Sequence, residues 1–333
     1  MPSHPFQQHP FERIHDRDVT RLPKSDRFGE AGHRWSESEI EALVFAWAAG
    51  RPLLVRGEAG CGKSQIARAA AAVMGSGEPF CEVIHPRFEA LDLLYRFDVV
   101  ERLADAQVER LDETNERYVK RGALWQAIDA VSDSGPTPVL LVDEIDKADA
   151  DLPNALLEVL GNRSFVVPHL KEKVNGVERP LAIAPKGGLM PLIIITTNEE
   201  RELPPAFVRR CAVLNLNPPQ GDAEFMKWLR ERSEAHTHLH IDGTVRERAA
   251  KQVLEDRKEC EQDGYPTVGL AEYLDLLHAL HALTRDLDPE GRRSVQLDWL
   301  DKLGRYALVK HPKQDQRRAP VGDGATEQRT PKG

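Results

Sequence analysis

Three glycines fall within six residues in the stretch "VRGEAGCGKSQIA", Val55 to Ala67, and a Lys-Ser pair follows them directly. Gly57, Gly62, Lys63 and Ser64 satisfy G-x-x-x-x-G-K-[ST] at every fixed position. Small residues are needed there so that successive backbone N–H groups can turn inward around phosphate oxygens. The loop is preceded by "RPLLV", which reads as a short buried strand. It is followed by "SQIARAAAAVM", an alanine-rich helix stopped by Gly75 and Gly77. A strand, this loop and a helix, in that order, place a bound phosphate at a helix N-terminus. The cradle is expected to consist of Gly57, Glu58, Ala59, Gly60, Cys61, Gly62, Lys63, Ser64 and Gln65. Lys63 would neutralise β- and γ-phosphates, and Ser64 would ligate Mg²⁺. A Gly-rich turn of no consequence would not need that flanking strand and helix.

The remaining pattern extends this unit into a sheet. "CEVIH", "VLLVDE" and "LIIITTNEE" read as further strands, and "GALWQAIDAV" and "LPNALLEVL" as helices between them. Apolar strands without clean alternation, separated by helices, indicate a parallel sheet covered on both faces. "SESEIEALVFAWAAG" carries a capping box, Ser36 with Glu39, and ends at Gly50. "ALDLLYRFDVVERLADAQVERL" has largely helical spacing, and "SFVVPHLKEKVNGVERPLAIAPKGG" reads as a hairpin ahead of the third strand. Residues 1–34 read as an irregular lead-in and residues 35–217 as the α/β domain. Residues 218–310 read as a small all-α domain of four helices, and the polar residues 311–333 as a disordered tail.

Bulk properties narrow the partners. Lys plus Arg number 45 against 54 Asp plus Glu, a net charge of −9, which gives no support for nucleic-acid binding. The four cysteines show no CxxC pairing. The polar N-terminus lacks the apolar core of a signal peptide, and no run approaches the length of a membrane span. A cytoplasmic protein without membrane contact is expected.

The strands also carry chemistry at their ends. "VLLVDE" is a buried strand ending in two carboxylates: Asp143 can hold the Mg²⁺ shell, and Glu144 can orient and polarise an attacking water. "LIIITTN" puts Thr196, Thr197 and Asn198 at a strand's carboxyl end, where ligands sit in open α/β sheets. An Asn there can position the water or sense the γ-phosphate, although a strand-end Asn is more often a turn former. "RELPPAFVRRC" supplies Arg209 and Arg210, either an ordinary basic helix end or an arginine finger for a neighbouring subunit, with Arg210 the preferred finger.

Two further groups are read mainly in bland terms. "AHTHLH" spaces His236, His238 and His240 by two, which on a strand would line up three imidazoles for a metal, but it stands in a polar connection. His278 and His281, three apart on a helical stretch, read as surface or packing residues. Cys61 lies inside the loop, where positive charge could lower a thiol pKa.

The order of Gly-Lys-Ser loop, Asp-Glu strand, Thr-Thr-Asn strand, Leu-Pro-x-Ala-x-x-x-Arg and helical domain resembles the AAA+ ATPases, specifically the MoxR-like branch. "RPLLVRGEAGCGKS", "LLVDEIDKAD" with "NALLEVL", and "ELPPAFVRR" carry the resemblance, over roughly residues 36–285. It implies a P-loop sheet with an α-helical lid, with Gly57 to Ser64 as Walker A and Asp143 and Glu144 as Walker B. Asn198 matches sensor 1 and Arg210 the finger. It also implies ATP and Mg²⁺ as ligands and homo-oligomeric, often hexameric, rings that remodel other proteins. The usual partners carry von Willebrand factor A domains. One position departs: Gly269 stands where many relatives have a sensor 2 arginine, which leaves the coupling of lid closure to ATP open. The leading expectation is a Mg²⁺-dependent ATPase acting on a protein client. A nucleotide-gated binding module that hydrolyses little, and a P-loop kinase, are the competing readings.

Overall fold

Short strands, apolar on both faces along most of their length, build the sheet at the core of the first of two units. The computed structural model describes residues 9–132 and 134–308. The chain divides between Pro218 and Pro219.

The first unit opens with β1 (Val19–Leu22) and β2 (Ala31–Arg34), an antiparallel ribbon where the sequence suggests an irregular lead-in. Phe11, Leu22 and Trp35 are buried around it, and the Trp35 indole donates to Thr20 Oγ1 at 2.8 Å. Burial of two aromatic rings gives this polar segment an apolar anchor.

Helix α1 (Glu37–Ala49) begins at the expected capping box: Ser36 Oγ accepts from the Glu39 amide, and the Ser36 amide donates to Glu39 Oε2. It stops at Gly50, whose φ of 60° is left-handed. Then follow β3 (Leu53–Arg56), α2 (Lys63–Met74) and β4 (Phe80–Val83). The next stretch is not one helix. It breaks into a 3₁₀ turn (Ala90–Leu93), β5 (Tyr95–Phe97) and α3 (Val99–Gln107). β5 pairs antiparallel with β6 (Val119–Arg121), and this non-local pairing overrides the local helical period.

Helix α4 (Ala123–Asp129), β7 (Val139–Asp143) and α5 (Asp151–Asn162) come next. The expected hairpin is present as β8 (Phe165–Val174) and β9 (Val177–Ile183), with a register shift between Val167 and Lys171. β10 (Leu192–Thr197), the short α6 (Pro205–Val208) and β11 (Ala212–Asn215) complete the unit. β11 escapes sequence reading because only alternate residues of it are buried and it runs into a Pro-rich connection.

The five-stranded sheet has the order β11-β3-β10-β7-β4, with every pair parallel. All six residues of β10 are buried, as its central place requires. Helix α1 packs on β11 and β3, α2 on β7 and β10, and α4 on β4 and β7. From β3 the chain passes to β4 at one edge, returns through β7 and β10, and crosses to β11 at the other edge. The strand order therefore reverses beside β3, which puts a crevice at its carboxyl end. The loop Gly57–Gly62 occupies that position.

The second unit is all-α among the described residues: α7 (Asp222–Glu234), α8 (Gly243–Asp263), α9 (Leu270–Thr284) and α10 (Pro289–Ala307). Phe225, Leu229, Val253, Tyr273, Leu277 and Leu300 lie in its core. Gly269 is the N-cap of α9, its amide bonded to Glu272 Oε2 at 2.9 Å. "AHTHLH" is a turn rather than a strand, so it does not align three imidazoles on one face. The tail assigned to residues 311–333 lies outside the described residues. No helix among the described residues is long and apolar enough to cross a membrane.

Candidate functional site

β3 delivers the chain into the loop at Gly57, where φ is 151°. A Cβ there would stand 2.2 Å from the Leu216 carbonyl oxygen, so only glycine lets β3 and the segment after β11 approach this closely. Gly60 and Gly62 also have positive φ, 75° and 97°. Ala59 and Gly60 form the exposed crest. Gly62 caps α2 without a side-chain bond, so the first helical amides have no side-chain partner at the cap.

Lys63 is only 6% exposed. Its ammonium donates to the Gly57 carbonyl at 2.8 Å, the Glu58 carbonyl at 2.7 Å and Asn198 Oδ1 at 2.7 Å. All of the donors that a lysine carries are thereby used. A buried cation is tolerated only with such compensation. Phosphate oxygens are acceptors of the same kind carrying more charge, so they can take the place of these oxygens on the ammonium.

The carboxylates lie beside it. Asp143 Oδ1 accepts from Ser64 Oγ at 2.7 Å and from Thr196 Oγ1 at 2.5 Å. A hydroxyl and a carboxylate in contact are the hard oxygen set that suits Mg²⁺. The Glu144 amide donates to Thr196 Oγ1 at 2.9 Å. Glu144 itself is left-handed, with φ 59° and ψ 49°. That conformation costs a side-chain-bearing residue about 1–3 kcal/mol. Asn198 Nδ2 donates to Glu144 Oε1 at 3.1 Å. One carboxamide thus joins the phosphate-loop cation to the carboxylate expected to act on water.

Asp146, 1% exposed, holds the turn after β10 by accepting from the Glu200 amide at 2.9 Å. Its neighbour Lys147 pairs with Glu200.

The structure brings Lys63, Ser64, Asp143, Glu144 and Asn198 together. Gln65 is spent elsewhere: its side chain donates to the Gly32 carbonyl at 2.8 Å, tying α2 to the ribbon. Arg209 and Arg210 are both exposed. Arg209 lines a cavity of about 520 Å³ with Arg56, Thr197, Glu199 and Arg201. Among the described residues no hydrogen bond or ion pair joins Arg210 to the cluster. Cys61 corrects the idea of an activated thiol: burial pushes it up and outweighs the lowering by Lys63. The strand-end pattern assigns Thr196 no role, yet its hydroxyl bridges Asp143 and the Glu144 amide. The available signal was a hydroxyl at the end of an otherwise aliphatic buried strand.

A family model described as an AAA domain of the dynein-related subfamily matches residues 52–211. That span runs from just before β3 to just before β11 and contains every residue of the cluster. Among solved structures, NtrX from Brucella abortus in complex with ADP is similar at 16% identity and TM-score 0.42, over 78% of this chain and 52% of that one. A second NtrX structure from the same organism gives 17% identity and TM-score 0.39, over 77% and 52%. The chain spans about half the length of these NtrX chains. A candidate ATPase from Cytophaga hutchinsonii is similar at 13% identity and TM-score 0.33, over 84% of each chain. No curated protein matches the sequence. Residues 52–211 are thus similar to an AAA domain, which fits the parallel sheet and the loop after β3.

Proposed function

We propose that the protein is a Mg²⁺-dependent ATPase of the MoxR-like AAA+ type, working as a ring that remodels or activates a protein client. The observation that carries the hydrolytic part is Asn198, whose carboxamide touches Lys63 and Glu144 at once. Nucleotide phosphates entering the loop compete with Asn198 Oδ1 for the Lys63 ammonium. Release of Asn198 from Lys63 then allows its carboxamide to hold a water against Glu144. Glu144 accepts a proton from that water as its oxygen attacks the terminal phosphorus, and ADP and phosphate leave. Lys63 stabilises the charge spreading over the phosphoryl oxygens. Ser64 and Asp143 would hold Mg²⁺, which when bound supplies charge neutralisation at those oxygens. Arg210, exposed and joined to the cluster by no hydrogen bond or ion pair among the described residues, is available to a neighbouring subunit.

The ring and its client rest on the motif resemblance, with a von Willebrand factor A domain protein as the preferred client class. A second reading, an ATP-gated module with little turnover, draws on Gly269 and on the Asn198 hydrogen bond that restrains Glu144.

Steady phosphate release separates the two readings. Wild type should turn over ATP continuously, and Lys63→Ala should lose about 2–4 kcal/mol of phosphate stabilisation, with binding and turnover falling together. Glu144→Gln should bind Mg-ATP normally and hydrolyse it very slowly. Wild-type turnover by Glu144→Gln would remove Glu144 from this role. A wild type that binds ATP without releasing phosphate would favour the gated module.

A further inference from the structure

Among the described residues, the helical unit holds five histidines that the ATPase reading does not use. His236, His238 and His240 lie in the turn between α7 and α8, and His278 and His281 lie on α9. The turn sorts them into two groups. Ring centroids of His236, His238 and His278 are mutually 5.8, 5.9 and 5.4 Å apart. One ligand nitrogen from each lies within 4.8 Å of the other two. His240 is directed instead to His281, whose Nδ1 accepts from the His240 amide at 3.2 Å.

Those spacings can be set against a metal site. A zinc–nitrogen bond of about 2.0–2.1 Å puts an imidazole centroid about 3.2 Å from the ion, so tetrahedral sites have centroids about 5.2 Å apart. The observed values exceed that by a few tenths of an ångström. The nitrogens, now within 4.8 Å of one another, must close to about 3.3 Å on coordination. His236 is 4% exposed and held in place by burial, whereas His238 and His278 are half-buried and their rings have room to tilt.

The surroundings are already organised. Leu239 donates its amide to the His236 carbonyl at 2.9 Å, which tightens the turn. Buried Gln296 of α10 donates to the His240 carbonyl at 2.9 Å and to Thr284 Oγ1 at 2.9 Å, holding the turn against α9. Asp275 lies one turn before His278 on α9, a carboxylate near the imidazoles. All-nitrogen ligation suits zinc and its first-row neighbours rather than Mg²⁺ or Ca²⁺, which take oxygen.

We propose that His236, His238 and His278 form a binding site for a divalent transition-metal ion, with Zn²⁺ the best fit and water in the fourth position. The ion staples the α7–α8 turn to α9. This site is independent of the phosphate loop and of the ATPase reading.

The test uses the full chain without a histidine tag, stripped with EDTA and held in excess Mg²⁺. Calorimetric titration with ZnCl₂ should give one site per chain. His238→Gln and His278→Gln should each weaken it by more than the roughly 10–100-fold that loss of a residue merely orienting a ligand costs. His240→Gln should leave it unchanged. Zn²⁺ should also shield the half-buried His238 and His278 of the unaltered chain from diethylpyrocarbonate, read by mass spectrometry, which needs no variant to fold. Absence of Zn²⁺ uptake at micromolar concentration overturns the proposal. So does uptake that survives in the folded His238→Gln/His278→Gln protein, or shielding that falls on other residues.

Discussion

Cys61 sits two residues before the phosphate-loop lysine, where a thiol would be expected to ionise readily. The chain instead buries it, and desolvation of the thiolate outweighs the cation. Burial likewise pushes Cys81 up to about 11 and Cys211 up to about 12. A thiol of pKa about 11 is ionised to only a few parts in ten thousand at about pH 7.5, whereas an ordinary one is ionised to about a tenth. Iodoacetamide near neutral pH should therefore label Cys81 and Cys211 of the folded protein orders of magnitude more slowly than free cysteine. Cys61 should also lag behind free cysteine. Labelling should become complete in denaturant, as followed by peptide mass spectrometry. Rapid labelling of Cys61 in the native protein would restore the case for an activated thiol.

Elements meet at points where a single atom decides whether they can. Gly57 is such a point between β3 and the segment following β11, where the Leu216 amide donates to the Arg56 carbonyl at 2.7 Å. Gly57→Ala would drive a Cβ into the Leu216 carbonyl, and a backbone carbonyl cannot swing aside as a flexible side chain would. Overpacking of this kind costs about 1–3 kcal/mol, and the displaced loop should lose ATP affinity as well. Gly29→Ala, which meets no nearby atom, should stay within about 0.5 kcal/mol of wild type. Thermal denaturation and nucleotide titration of both variants check the contrast. Local signals also explain which parts sequence patterning finds. α1 carries its own cap and stop, and β7 and β10 carry uninterrupted apolar runs, so local rules suffice. β5 and β11 are three and four residues long, and each exists because of a partner distant in sequence. No local period announces such strands.

For the whole molecule the question is whether one chain makes a complete active site. Arg210 is exposed at the end of α6 and apart from the cluster, so the proposed ring predicts an arginine acting across an interface. Such fingers are worth about 10³–10⁵ in rate. Arg210→Ala should bind ATP yet scarcely turn it over. Mixed with Glu144→Gln protein it should regain activity, because some interfaces then join a working Glu144 to a neighbour's working Arg210. Native mass measurement should show the two variants co-assembled. Mixed rings that stay inactive, or loss of turnover in Arg209→Ala alone, would remove Arg210 from this role. A wild-type monomer with full activity would remove the shared site altogether. Reading along the chain is enough to find the phosphate loop, the paired carboxylates and the parallel sheet, because each rests on short spacings or on apolar runs. Three-dimensional packing was needed to show that Asn198 spans Lys63 and Glu144, and that Thr196 couples Asp143 to the Glu144 backbone. It was needed again to show that His278, rather than His240, joins His236 and His238. Those contacts link residues 40 to 135 positions apart. They depend on strand order and helix packing, which fix where side chains meet and which no spacing along the chain encodes.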